Sequence, residues 1–168
     1  MLKRFYPSEY VDSVYCIDFE QYYRIGYRGL IFDIDNTLVP HGAPSTKESV
    51  DFFIKIKHMG FKTCLISNNK EPRVKPFAEM VDSPYIYNGH KPSVKNYKKA
   101  MEIMGTDKEN TIFIGDQLFT DIYGANRAGL INILTKPINP KEEIQIVLKR
   151  YLEKIVLFFY KRSREKKG

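Results

Sequence analysis

Two carboxylates, Asp33 and Asp35, stand two residues apart at the end of the apolar run Leu30-Ile-Phe32. In an extended segment side chains alternate between faces, so both acids point the same way. Two anions held that close repel, which raises the pKa of one or recruits a cation. Alone, the pair also fits a strand running into an Asp-Asn turn. Other positions change the balance. Gly115-Asp116-Gln-Leu-Phe-Thr-Asp121 follows a second apolar run and adds two carboxylates. Ser67, after Leu65-Ile66, offers a hydroxyl, and Lys91, within Gly89-His-Lys-Pro92, offers a compact positive charge. Oxygen ligands suit Mg²⁺, which favours an octahedral shell and keeps several waters. Carboxylates, a metal, a hydroxyl and an ammonium are the parts needed to hold a phosphoryl group and stabilise its transfer.

These side chains are scattered along the chain, so the fold must gather them. The spacing predicts a strand over 30–35, a helix over 46–59 and a strand over 61–66. The helix should have Ser45 as N-cap, Glu48 as its capping-box partner and Gly60 as its stop. A short helix over 71–80, a short strand over 85–87 and a helix from Ser93 to Gly105 follow. A strand over 111–114, a helix over 118–128 and a fifth strand over 130–134 complete the pattern. Strands alternating with helices imply βαβ units and right-handed crossovers. The expected fold is α/β: one Rossmann-like, three-layer domain over residues 1–168, with a central, mostly parallel five-stranded sheet. In such sheets ligands bind beyond the carboxyl ends of the strands. Asp33, Asp35, Ser67, Lys91 and Asp116 all fall at or just past predicted strand ends.

The flanks of this core, about residues 28–135, read differently. Residues 1–27 carry Phe5, Tyr6, Tyr10, Tyr15, Phe19, Tyr22, Tyr23 and Tyr27. They predict a helical segment packed on the sheet, with an exposed recognition surface as the alternative. From about 140 to 168 the positions Ile144, Val147, Leu148, Tyr151, Leu152, Ile155, Val156 and Phe159 follow the three-four spacing of an amphipathic helix. Leu157 and Phe158 widen its apolar face, and a basic run follows. The net charge is +7. Residues 141–168 hold nine Lys or Arg against four Glu, so most of the excess sits there. Such a segment suits an acidic partner or an anionic membrane, or it is a helix packed on the sheet with a solvated tail. Cys16 and Cys64 have no metal-like spacing and read as free thiols in a reducing compartment. No stretch reaches the roughly 20 apolar residues of a membrane span, and no secretory leader is apparent. The expected location is the cytoplasm, with the inner face of a membrane as a peripheral site.

The order Asp33-x-Asp35-x-Thr37, then Ser67, Lys91, and Gly115-Asp116 with Asp121, resembles the four motifs of the haloacid dehalogenase-like (HAD) superfamily. The intervals between motifs are filled by the elements already assigned, leaving no room for an inserted cap domain. This is similar to the capless IIIA group. Asp-Asn-Thr-Leu-Val39, Ser-Asn-Asn69 and Gly-Asp-Gln117 resemble its YqeG-like branch, which includes phosphatidylglycerophosphate phosphatases. The resemblance implies a Mg²⁺-dependent phosphate monoester hydrolase. Asp33 would be the nucleophile that forms an aspartyl-phosphate, and Asp35 the acid and base. Mg²⁺ would be held by Asp33, the backbone carbonyl of Asp35, and Asp116, with Asp121 in support. Ser67 and Lys91 would neutralise phosphoryl oxygens, and Thr37 would help shape the phosphate cradle. Arg73 could clamp a second phosphate or make a surface ion pair, and Asn68 and Asn69 could bind substrate or form the turn. His41 and His90 read as solvated histidines near the mouth.

The substrate implied is a phosphorylated one, with a lipid headgroup as the leading case. A soluble metabolite, nucleotide or phosphoprotein is the alternative within the class. Outside it stand a non-catalytic scaffold docking on RNA or an acidic partner through the basic tail, and a phosphorylated receiver-type switch. No RNA-recognition motif is present, and the tail lacks aromatic residues interleaved with its basic ones, so nucleic acid is not favoured. The second carboxylate, Asp35, favours hydrolysis of a phosphoenzyme over its storage.

Overall fold

The computed structural model of the protein describes residues 1–139 and 144–165, with the backbone alone at 144–146. The expected start of the last helix near residue 140 and the tail over 166–168 lie outside the described residues.

Six strands form one sheet: β1 (Glu9–Val11), β2 (Gly29–Phe32), β3 (Lys62–Ile66), β4 (Tyr85–Ile86), β5 (Thr111–Gly115) and β6 (Ile131–Thr135). Their order is β1-β6-β5-β2-β3-β4, and every pairing is parallel. From β2 the chain steps outward through β3 and β4, then returns to β5 on the other side. The strand order therefore reverses between β2 and β5, the crevice where open α/β sheets bind ligands. Phe32 lies opposite Ile114, and the Asp33 amide donates to the Ile114 carbonyl at 2.9 Å. That register puts the ends of β2 and β5 level, so the acids beyond them emerge side by side.

The sixth strand corrects the five expected. Glu9–Val11 pairs with Ile133–Thr135 at the sheet edge, where a helix had been predicted. Only Phe19–Arg24, α1, is α-helical in the aromatic N-terminal segment. Its rings join the core: Phe19 stands 5.6 Å from Phe52, and Tyr15 stands 5.2 Å from Phe52, centroid to centroid. Phe19 is buried and the other rings of the segment are half-buried, so they pack on the core, where full burial of a large side chain contributes roughly 1.5–3 kcal/mol.

Parallel sheets are covered on both faces, so their strands are apolar throughout. Leu30, Phe32, Leu65, Ile112 and Ile114 face α2 (Lys47–His58), α3 (Glu71–Val81) and the N-terminal segment. Ile31, Cys64, Ile66 and Phe113 face α4 (Val94–Met104) and α5 (Tyr123–Ala128). The α2 cap lies one residue on from the expected one: Thr46 and Ser49 cap each other reciprocally, with Thr46 Oγ1 accepting from the Ser49 amide at 3.1 Å. The expected single helix over 118–128 is two pieces, a π-helical turn at Leu118–Ile122 and then α5.

The last helix, α6 (Ile144–Glu165), is oriented against its apolar pattern. Val156 is buried beside Leu118, Ile122 and Leu134, and Tyr160 is buried with its ring 5.4 Å from that of Tyr6. Leu148, Tyr151, Leu152, Ile155, Phe158 and Phe159 all face outward. The inward stripe, stepping by threes and fours, runs Arg150, Glu153, Val156, Tyr160 and begins with a charge pair in which Glu153 is buried and Arg150 half-buried.

Candidate active site

Asp33 leaves the end of β2, Asp116 the end of β5, and Asp121 the π-helical turn that follows. One oxygen from each lies within 4.8 Å of the others. All three are buried. Gly115 makes this approach possible: a Cβ there would sit 2.6 Å from Asp121 Oδ2. That same oxygen accepts from the Asp116 amide at 3.1 Å and the Gln117 amide at 3.0 Å, closing a tight loop behind the acids. The Tyr97 hydroxyl, from α4, donates to the Thr120 and Asp121 carbonyls at 3.1 Å and fixes the turn from the other side.

Lys91 provides the counter-charge. Its Nζ lies 2.5 Å from Asp33 Oδ1 and 2.6 Å from Asp121 Oδ1, with the side chain 3% exposed. Burial favours the neutral amine, but Asp121 and Asp33 outweigh it, so the ammonium is held charged. The Asn68 side chain aims Lys91 by bracketing its backbone: Oδ1 accepts from the Lys91 amide at 2.8 Å, and Nδ2 donates to its carbonyl at 3.3 Å. Asn68 is thus committed to the protein rather than turned toward open space. Thr37 returns toward Asp33 because Asn36 takes a left-handed turn at φ 62°. Its hydroxyl stands 3.2 Å from Asp116 Oδ1 and 3.4 Å from Asp33 Oδ2. Ser67 is buried at the end of β3, where its Oγ accepts from the Asn69 amide at 3.1 Å.

The two acids of the first motif part company. Burial raises the Asp33 carboxyl well above its ordinary range, Lys91 opposing and Asp121 reinforcing the shift. Asp35 goes the other way. Burial would raise it too, but the Gly42 amide, Arg73 and Asn69 hold its carboxyl below the usual range. Their contacts are 2.7 Å to Gly42 N, 2.9 Å to Arg73 Nη2 and 2.7 Å to Asn69 Nδ2. Arg73 therefore ends as an ion pair, as one of its two expected uses required, but a half-buried one at the mouth of the site. His41 and His90 are exposed.

Two residues that sequence reasoning passed over reach the site from α6. Arg150 Nη1 donates to the Asp116 carbonyl at 2.6 Å, and Nη2 pairs with Asp116 Oδ2. Glu153 accepts from the Leu118 amide at 2.8 Å and pairs with Arg150 at 3.0 Å. Burial, opposed by Arg150, raises Asp116, while Asp33 and Asp121 add to the rise. A signal was present: Arg150 and Glu153 share a helix stripe with Val156 and Tyr160.

Three converging carboxylates are a hard, all-oxygen donor set, and their mutual repulsion is relieved by a cation. The cluster fits a divalent metal. Asp33, Asp116 and Asp121 are the side chains that would hold it.

The family model for haloacid dehalogenase-like hydrolase matches residues 44–129. The chain belongs to the haloacid dehalogenase-like hydrolases. It is 37% identical over 165 residues to a Bacillus subtilis protein named "Probable phosphatase YqeG", covering 97% of this chain and 96% of that one. It is 26% identical over 168 residues to phosphatidylglycerophosphate phosphatase 1, chloroplastic/mitochondrial, of Arabidopsis thaliana, covering 93% of this chain and 47% of the plant protein. Among solved structures, an uncharacterized protein from Listeria monocytogenes serotype 4b superposes with a TM-score of 0.54 at 19% identity, over 70% of this chain and 86% of that one, which speaks for the fold. As a HAD-family phosphatase, this protein acts on a phosphorylated substrate. Among the described residues no helix is long and apolar enough to cross a membrane.

Proposed function

We propose that this HAD phosphatase is a Mg²⁺-dependent phosphate monoester hydrolase that attacks phosphorus with Asp33 and acts on a phospholipid headgroup, phosphatidylglycerophosphate being the leading substrate. The observation that carries the catalytic reading is the meeting of Asp33, Asp116, Asp121 and Lys91 at the point where strand order reverses. The whole described chain is taken as one catalytic unit, with both flanks built into it.

An Asp33 oxygen attacks the phosphate monoester, the ester oxygen leaves, and an acyl phosphate forms on Asp33. Lys91 and Ser67 neutralise the non-bridging oxygens, and Thr37 helps to close the cradle. Asp33, Asp116, Asp121 and the Asp35 carbonyl would hold Mg²⁺, which would supply the charge neutralisation that a buried nucleophilic carboxylate needs to stay ionised. Asp35, held ionised by three donors, is prepared to take a proton from the water that hydrolyses the acyl phosphate. Keeping that proton for the leaving oxygen of the next turnover requires those donors to release Asp35, as an anionic substrate that draws Arg73 away would make them do. Arg73 stands beside Asp35, where a second anionic group of the substrate would meet it.

The lipid reading draws on α6. Its outward face presents Leu148, Tyr151, Leu152, Ile155, Phe158 and Phe159, with Lys149, Lys154, Lys161, Arg162 and Arg164 alongside. An apolar face edged with basic residues suits an anionic membrane surface, each basic side chain near it contributing about 1 kcal/mol. The plant relative's name supports the same substrate. The test is phosphate release from phosphatidylglycerophosphate in mixed micelles, with and without Mg²⁺, using Asp33→Asn as the blank. Turnover well above that of soluble sugar phosphates is expected. Equal turnover on both would discard the lipid, and wild type equal to the blank would discard catalysis.

A further inference from the structure

We infer that Arg150 and Glu153 are positioning residues of the metal centre, holding Asp116 from α6 so that one of its carboxylate oxygens stays turned toward Asp33 and Asp121. The inference rests on reading the three acids as a cation site.

Arg150 grips Asp116 at two points, the carboxylate oxygen Oδ2 and the backbone carbonyl, the latter at 2.6 Å. A planar guanidinium bound at two points fixes orientation as well as charge. The other oxygen, Oδ1, is the one 3.2 Å from Thr37 Oγ1, on the Asp33 side. Without the grip the Asp116 carboxylate could rotate about its own bonds. Glu153 completes the device. One oxygen orients Arg150, and the other accepts from Leu118 N–H, where the π-helical turn carrying Asp121 begins. A single helix thus holds both the acid at the end of β5 and the turn that bears its neighbour. Glu153 also offsets the guanidinium charge, which would otherwise oppose a cation on Asp116.

Among the described side chains, apolar packing does not account for this seat. A cavity of about 380 Å³, lined in part by Tyr10, Leu134, Thr135, Val147 and Tyr151, separates this half of α6 from the ends of β1 and β6. Val147 and Tyr151, flanking Arg150, are exposed. Among the described side chains of α6, the buried apolar ones begin at Val156. The polar pair holds the helix down where it crosses the acids.

The test is Mg²⁺ affinity measured without substrate, by calorimetry and by the Mg²⁺ dependence of the thermal midpoint, in wild type, Arg150→Ala, Arg150→Lys, Glu153→Gln and the outward-face control Ile155→Ser. Outer partners of ligating carboxylates typically carry about 10–100-fold in affinity. Arg150→Ala is expected to weaken Mg²⁺ binding about tenfold or more, Glu153→Gln less, and Ile155→Ser not at all. Lysine keeps the charge but not the two-point grip, so Arg150→Lys should recover only part of the loss. Saturating Mg²⁺ should return much of the kcat of each weakened variant. Unchanged affinity in Arg150→Ala would reduce the pair to a helix anchor, and tighter binding would make Arg150 a competitor of the metal. Either result overturns the inference. Should Arg150→Ala not fold, Arg150→Lys and Glu153→Gln decide by the same criteria. A wild type that binds no Mg²⁺ would overturn the metal reading itself, an outcome distinct from these.

Discussion

Arg73 holds Asp35 through two nitrogens, Nη2 at 2.9 Å and Nε at 3.3 Å, both on the same carboxylate oxygen. The residue just past β2 is thereby tied to α3, across the opening of the site. Among the described residues Asp33 has no such partner at the rim. Its counter-charge is the buried Lys91. One acid is oriented and kept ionised, and the other is desolvated.

The Arg73–Asp35 pair should make stability depend on pH. Asp35 is depressed in the folded state, so in acid the unfolded chain takes up its proton first. The contribution is therefore complete above the unfolded aspartate value of about 3.9 and is lost as pH falls through the lower folded value. Arg73→Ala should cost about 1.5–3 kcal/mol at pH 7, in the range of hydrogen bonds to charged groups. Near pH 3 the difference from wild type should narrow. Urea unfolding at both pH values checks this, and a gap that widens in acid would contradict it.

Lys91→Ala strands Asp33 and Asp121 together in a buried site. Removing one partner of a buried ion pair costs about 3–5 kcal/mol, because the remaining charge has no compensation. The variant should be destabilised by that order and inactive. Added Mg²⁺ should raise its thermal midpoint more than it raises that of wild type, since a cation would replace the lost charge. Thermal unfolding with and without Mg²⁺ measures both effects.

Gly115→Ala places a methyl 2.6 Å from Asp121 Oδ2 and 2.8 Å from Asp121 Cβ. The turn must move, and with it the amides of Asp116 and Gln117 that this oxygen accepts from. A displacement on the order of 1 Å at a reacting centre costs about a hundredfold in rate. Activity should fall by that order while the secondary structure persists, as kinetics and circular dichroism would show.

Cys64 lies within β3, and burial pushes its thiol up to about 12. Cys16 is exposed. A thiol reagent should therefore modify one cysteine in the native protein and two in denaturant. Cys16→Ser should remove the native reaction, and a fast second equivalent without denaturant would show the β3 core to be open.

Asp33, Ser67 and Asp116 were legible because each closes or nearly closes an apolar run, and the end of a strand is where an α/β sheet exposes its functional groups; Lys91 and Asp121, a few residues further on, were legible through their spacing from those runs. The helix from Ser93 to Gly105 was legible for a similar reason: Tyr97, Ala100, Met101 and Met104 mark one buried stripe. β1 was not, since three half-buried residues, Glu-Tyr-Val, give no alternation to read. Arg150 was hidden by the helix that carries it. The strong apolar periodicity of α6 belongs to its outward face, so the pattern drew attention away from the stripe that reaches Asp116. The split of the opposed pKa shifts between Asp33 and Asp35 was equally out of reach, because Gly42, Asn69 and Arg73 meet Asp35 only after folding.

The pairing of β1 with β6 sets an order of events during synthesis. Ser8 and Asn132, which hydrogen-bond beside that pairing, are 124 residues apart. Glu9–Val11 is translated long before its partner strand exists, so that segment stays unpaired through most of the elongation, while Tyr15 and Phe19 find Phe52 early. Completion of the sheet waits on one of the last strands to be made. The step that seats β1 is a late, long-range closure.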